Sequence, residues 1–126
     1  MSQKRRILIL EDDPFISRMY QTKLTEEGFD ARVLADGKTG LDFSEEFNPE
    51  LVLLDISMPE LNGLEFLEQF KAEGSKFKSV PVIVLTNSAD VDDIAKAKNL
   101  GAADYLIKSN TIPSDVLDII EKHLSK

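Results

Sequence analysis

Ile7-Leu8-Ile9-Leu10-Glu11-Asp12-Asp13-Pro14 is the stretch whose reading decides the fold. Four apolar residues in a row, with no polar residue between them, form the pattern of a parallel strand buried on both faces. The run stops on acids, and Asp13-Pro14 then opens a helix. Asp13 is suited to the N-cap, and Pro14 to the first helical position, where its missing N–H leaves no bond unmade. Phe15, Ile16, Met19, Tyr20 and Leu24 follow at helical spacing, and Gly28 gives a C-terminal stop.

The same alternation continues to the end of the chain. Phe29, Ala31 and Val33 alternate with polar residues and predict a half-exposed edge strand. Asp36-Gly37 makes a turn into a modest helix carrying Leu41 and Phe47. Leu51-Val52-Leu53-Leu54 is a second buried strand, ending on Asp55. Pro59 to Gly63 is loop chemistry, and Leu64, Leu67 and Phe70 give the next helix its inward stripe. Val82-Ile83-Val84-Leu85 ends on Thr86, and Asp90 can cap a helix through Ile94 to Leu100, closed by Gly101. Tyr105-Leu106-Ile107 ends on Lys108, before a final amphipathic helix with Val116, Leu117, Ile119, Ile120 and Leu124. Strict alternation of five strands and five helices predicts a doubly wound α/β sheet with helices on both faces. Without repeats, low-complexity tracts or an interdomain linker, residues 1–126 are expected to form one domain.

Bulk properties narrow the function. The chain has 23 acidic against 15 basic side chains, and a net charge of −8 argues against nonspecific nucleic-acid binding, which needs Lys and Arg to meet phosphates. Proteins and cations are the better-matched partners. The absence of cysteine excludes disulfides and thiolate metal sites. Lys4-Arg5-Arg6 precedes an apolar run too short for a signal-peptide core, and no segment approaches a membrane span, so a cytoplasmic location without membrane contact is expected.

The chemistry gathers at strand ends. Leu10 leads to Glu11 and Asp12, Leu54 to Asp55, Leu85 to Thr86 and Ile107 to Lys108. Carboxyl ends of parallel strands share one edge of an open sheet, and ligands bind in the crevice there. Three carboxylates, a hydroxyl and an ammonium should therefore meet. A single acid after a strand is most simply a helix cap, as Asp13 is; complementary groups on four strand ends are harder to explain that way. Crowded carboxylates repel unless a cation joins them, and an oxygen-only donor set points to Mg²⁺ rather than zinc. A carboxylate can attack a phosphoryl group to give an acyl phosphate, with Mg²⁺ and a lysine neutralising the equatorial oxygens. Thr86 could then bond a phosphoryl oxygen, a contact made only in the modified state, as a two-state switch requires.

At these residues the sequence resembles the receiver domains of bacterial two-component response regulators, with a chemotaxis-regulator-like, flavodoxin-like fold. The resemblance runs through Ile7–Asp13, Leu53–Pro59 with Gly63, Val82–Thr86 and Gly101–Lys108, in the family's order and spacing. It implies a parallel sheet of order 2-1-3-4-5. It also implies that Asp55 is the phosphoacceptor, Thr86 the switch hydroxyl, Lys108 the phosphate-binding lysine and Tyr105 the aromatic whose rotamer accompanies activation. Glu11 and Asp12 match the acid pair that holds Mg²⁺, Asp12 directly and Glu11 through water, and Ser57 would add its backbone carbonyl. The implied partners are a sensor histidine kinase or a histidine phosphotransfer protein. The output is expected in an unknown partner protein or in an output domain outside this chain, with no direct nucleic-acid binding by this domain. The resemblance implies a phosphorelay switch that assists only its own phosphorylation and dephosphorylation, not an enzyme acting on outside substrates.

Several features depart from the family pattern. Ser109 follows Lys108 where many members have proline after a cis bond. Since a non-proline cis bond costs ~3 kcal/mol, a trans peptide is expected. Asn87 is larger than the alanine or serine common beside the switch hydroxyl. Asn87→Ala is expected to change phosphoryl-group lifetime, and an unchanged dephosphorylation rate would count against this. The last helix has no arginine, so the charged dimer of some DNA-binding relatives is not expected. His123 reads as a surface residue complementing a helix C-terminus. An aspartyl-nucleophile phosphatase would use similar chemistry, but such enzymes want an acid two residues after the nucleophile, where Ser57 stands. A receiver that binds partners without phosphorylation is the other alternative, against which the complete set of site residues argues.

Overall fold

The structure is a computed structural model, and it describes residues 4–56 and 63–124. The order of elements is β1 Arg6–Leu10, α1 Pro14–Glu26, β2 Asp30–Leu34, α2 Gly37–Phe47, β3 Leu51–Leu54, α3 Gly63–Phe70, β4 Val82–Thr86, α4 Val91–Asn99, β5 Asp104–Ile107 and α5 Pro113–Leu124. All neighbouring strands pair in parallel, in the order β2-β1-β3-β4-β5. The central strands β1, β3 and β4 are the continuous apolar runs, and β2, with its alternating pattern, lies at one edge as expected. The other edge strand, β5, is only partly buried along its length.

Alternate residues of the central strands feed two cores. Ile7, Ile9, Leu51, Leu53, Ile83 and Leu85 pack with Tyr20 and Leu24 of α1 and with Val116 and Ile120 of α5. Leu8, Leu10, Val52, Leu54, Val82 and Val84 pack with Phe47 of α2, Phe66, Leu67 and Phe70 of α3 and Ala97 of α4. Each layer removes a strip of large side chains from water, which is the main favourable term in folding.

Local signals set the helix starts. Asp13 Oδ1 accepts from the backbone N–H groups of Phe15 (2.9 Å) and Ile16 (3.3 Å), and Asp90 Oδ1 from those of Asp92 (2.8 Å) and Asp93 (3.3 Å). Gly28, at φ +97°, adopts the left-handed conformation that closes α1. The apolar stripe of α1 is narrower than its sequence spacing predicts. Phe15 is 77% exposed and Met19 37%, whereas Ser17 is buried beside Tyr20 and Leu24. The reason is rotational: the buried face passes through Ser17, Tyr20 and Leu24, and Phe15 falls to its side. In α3, Phe66 joins Leu67 and Phe70 in the core, a residue the spacing argument passed over.

No cis peptide bond occurs among the described residues, so Lys108-Ser109 is trans, and Lys108–Asn110 form a single 3₁₀ turn between β5 and α5. His123 does more than face a helix end: its Nε2 lies 2.6 Å from Asp104 Oδ2, joining the last turn of α5 to the first residue of β5. Among the described residues no helix is long and apolar enough to cross a membrane.

Candidate functional site

Parallel pairing in register brings the strand ends together. Leu10 lies beside Leu34 and Leu54, Leu54 beside Val84, and Thr86 beside Ile107. The ladder also continues one residue beyond the strands: Glu11 N–H donates to Leu34 O (3.1 Å) and Asp55 N–H to Leu10 O (2.9 Å). The backbones of both acids are thereby fixed by the sheet rather than by a loop, which gives their carboxylates a preset position.

Asp55 is 5% exposed, and both of its oxygens are engaged. Oδ1 accepts from the Thr86 hydroxyl at 2.9 Å, and Oδ2 from Lys108 Nζ at 3.0 Å. Lys108 Nζ also pairs with Glu11 Oε1 at 2.6 Å, and Glu11 Oε2 accepts from the Asp13 N–H at 3.1 Å. Glu11 is buried and Asp12 exposed, and one carboxylate oxygen from each of Glu11, Asp12 and Asp55 lies within 4.8 Å of the others. Asp13 belongs to the helix cap and not to this cluster, as its sequence position suggested. Ser57 lies outside the described residues.

Burial raises the pKa of Glu11, aided by the charge of Asp55, although hydrogen bonds from Lys108 and the Asp13 N–H pull the other way. For Lys108 burial acts downward, but bonds to Glu11 and Asp55 outweigh it and hold the ammonium charged above its ordinary range. The one ammonium that serves both buried carboxylates thus opposes the effect of burial on Glu11 without cancelling it, and is itself held charged by the two. With Asp12 added, three carboxylates face one ammonium among the described residues, a deficit of positive charge. An all-oxygen cluster with that deficit fits a hard divalent cation.

A second set of contacts leads away from the acids. Tyr105, partly buried on β5, donates from its hydroxyl to the carbonyl of Ser88 at 2.8 Å, and burial raises its pKa. Ser88 Oγ donates in turn to Asp93 Oδ2 at 2.6 Å. Gly63, first residue of α3, packs so tightly that a Cβ there would stand 2.4 Å from Ile56 Cα and 2.5 Å from the Asp55 carbonyl. Sequence reasoning brought together Glu11, Asp12, Asp55, Thr86 and Lys108 but passed over Ser88 and Asp93. The only trace of that pair was a serine and an acid flanking the Asp90 cap.

Residues 7–121 match the model of the response regulator receiver domain. The chain belongs to that family. The receiver is 36% identical over 107 residues to the DNA-binding response regulator MtrA of Mycolicibacterium smegmatis, covering 85% of this chain and 45% of that protein. It thus spans about half the length of that curated relative. Among solved structures it is similar to a CheY-like receiver domain protein from Methanospirillum hungatei, with a TM-score of 0.90, 29% identity and coverage of 98% and 95% of the two chains. It is also similar to the Mn²⁺-bound form of the response regulator Rcp1, with a TM-score of 0.78, 30% identity and coverage of 94% and 90%. The five-stranded order seen here is the CheY-like, flavodoxin-like arrangement. This is a receiver domain of two-component signalling, carrying the acidic cluster typical of the family's cation site.

Proposed function

We propose that this chain, residues 1–126 as one domain, accepts a phosphoryl group on Asp55 from a histidine kinase or histidine phosphotransfer protein and uses it to change what its surface binds. The observation that carries this reading is a buried carboxylate held between a hydroxyl and an ammonium, beside two further acids. Glu11, Asp12 and Asp55 would hold Mg²⁺, with Ser57 as a further carbonyl donor, and the bound cation would neutralise charge on the acceptor and the phosphoryl oxygens. That the similar response regulator Rcp1 has a Mn²⁺-bound form supports the divalent-cation reading.

In transfer, an Asp55 carboxylate oxygen forms a bond to phosphorus while the bond from phosphorus to the donor's leaving atom breaks, its electron pair leaving with the donor. Lys108, already within 3.0 Å of Asp55, supplies a fixed positive charge to the developing anion. Thr86 now donates to Asp55 Oδ1; in the modified protein the same proton would serve a phosphoryl oxygen. That exchange of acceptor is the differential contact that would couple Asp55 chemistry to Tyr105. The domain would act on no outside substrate and would work in the cytoplasm. Its output would reside in a partner or in a further domain, and the DNA-binding relative, of which this chain covers less than half, is one example of such an output.

Purified protein incubated with acetyl phosphate and Mg²⁺ is expected to gain one phosphoryl group by intact mass. The adduct should be absent without Mg²⁺ and absent in Asp55→Asn. If no adduct forms in fast-quenched samples and beryllofluoride does not bind, the proposal is wrong, and the domain binds its partners unmodified.

A further inference from the structure

The amino ends of the strands form the opposite edge of the sheet from Asp55, and a cleft of about 360 Å³ opens there. It lies between the starts of β1 and β3, the α3–β4 connection and the last turn of α5. Arg5, Arg6, Lys76 and His123 line it, and among the described residues Glu50 is its one lining acid. Val80, Pro81 and Leu124 give it half-buried apolar walls. The cleft already holds a carboxylate from the chain itself. Glu50 Oε2 accepts from Arg5 Nε at 2.7 Å and Oε1 from the Arg6 N–H at 3.1 Å, with Arg6 Nη1 3.5 Å away. Two guanidinium groups therefore share one carboxylate. Each makes a further bond to backbone, Arg5 to Leu124 O at 3.1 Å and Arg6 to Asn48 O at 2.8 Å. Lys76 lies 3.6 Å from Glu45, but both side chains are half exposed or more, so water and salt screen that pair.

We infer that this cleft is a docking site for an acidic peptide segment of a partner protein. Its carboxylates would meet Arg5, Arg6 and Lys76, and its apolar side chains the walls. Charge complementarity selects the occupant. The chain carries a net charge of −8, so a cleft with a surplus of cations differs in sign from the molecule around it. An acidic segment is repelled from the acceptor edge, where Glu11, Asp12 and Asp55 gather, and attracted to this one. Nucleic acid fits less well, since its run of phosphates would also meet the acidic remainder of the molecule. Glu50 shows the mode of binding, a carboxylate set against a guanidinium and a backbone N–H. It also competes, because it engages the same donors that an incoming carboxylate needs. The two edges are a strand length apart, about 15 Å for the five residues of β1 or β4, so the cleft stays open while a phosphodonor sits at Asp55. Docking here does not depend on the chemistry of Asp55.

The probe is a short fluorescent peptide of glutamates with interspersed leucines, titrated with the parent protein and followed by anisotropy. Saturable binding is expected, weakening as salt is raised. Lys76→Glu, a change at an exposed position, should weaken it roughly five- to ten-fold. Lys38→Glu makes the same charge change at the exposed start of α2, on the acceptor edge, and should leave it unchanged. Glu50→Gln removes the charge of the internal competitor and should tighten binding several-fold, a gain that damage to the fold would not produce. A peptide with lysines in place of the glutamates should not bind. Absence of saturable binding, or equal losses in Lys76→Glu and Lys38→Glu, overturns the docking site. So does Glu50→Gln binding no more tightly than the parent. Inorganic polyphosphate or duplex DNA binding as tightly as the peptide would also overturn it, by showing a general polyanion patch in place of a peptide site.

Discussion

Lys108→Met is expected to slow phosphorylation of Asp55 by acetyl phosphate about 100-fold, the usual scale for losing one preset charge at a reacting centre. Among the described residues Lys108 is the one ammonium within bonding distance of both Glu11 and Asp55, and its side chain is 11% exposed. Methionine keeps the length and the apolar stem but leaves two buried carboxylates facing each other. Removing one partner of a buried ionic group typically costs ~3 kcal/mol, so the variant should unfold at lower denaturant without Mg²⁺. Added Mg²⁺ should return part of that loss, because the cation would neutralise the same carboxylates. The pH dependence follows from the raised pKa of Lys108. Its contribution to stability is fully present below the ordinary lysine value of 10.5 and fades as pH rises through the higher folded-state value. The difference in stability between parent and variant should therefore narrow only in strong alkali. An unchanged phosphorylation rate would remove Lys108 from the reacting centre, and unchanged stability would mean that the pairs only balance their burial cost.

Gly63→Ala is expected to cost about 3 kcal/mol of stability and to reduce phosphorylation by about 100-fold, although the side chain added is one methyl group. The methyl would meet Ile56 Cα and the Asp55 carbonyl oxygen, both backbone atoms that cannot rotate away. Either α3 backs off, opening the core around Phe66 and Phe70, or the Asp55 backbone moves and carries the acceptor out of line with Thr86 and Lys108. Gly40→Ala is the control. The three atoms nearest its methyl all belong to the side chain of Leu10, which can turn, so a smaller loss is expected and phosphorylation should persist. Urea unfolding and phosphoryl uptake measured on both variants separate the two cases. Equal effects at the two glycines would show that close packing against Asp55 has no special weight.

Much of this site was legible in sequence because it is written in local patterns. Ile7–Leu10, Leu51–Leu54 and Val82–Leu85 are unbroken apolar runs, and such runs in strict alternation with helices leave few topologies open. Once the sheet is parallel, the residue after each run must lie at the same edge, so Glu11, Asp12, Asp55, Thr86 and Lys108 could be grouped from spacing alone. The Asp13 and Asp90 caps were equally local, since a cap is an interaction over two or three residues.

Other features depended on distances that no local pattern encodes. That Lys108 serves Glu11 as well as Asp55 follows from the register of β1 against β3, which sets Leu10 beside Leu54, and from the turn after β5. The joining of His123 to Asp104 and of Tyr105 to Ser88 spans 19 and 17 residues of chain and crosses between elements. Phe15 and Met19 match the spacing of a buried stripe, yet they face outward because the sheet meets α1 along Tyr20 and Leu24. The tightness at Gly63 appears only when α3 is laid against the end of β3. Periodicity and capping act along a few residues of chain and can be read in order. Register, rotation and close approach are set by packing the elements against one another, and only the folded molecule decides them.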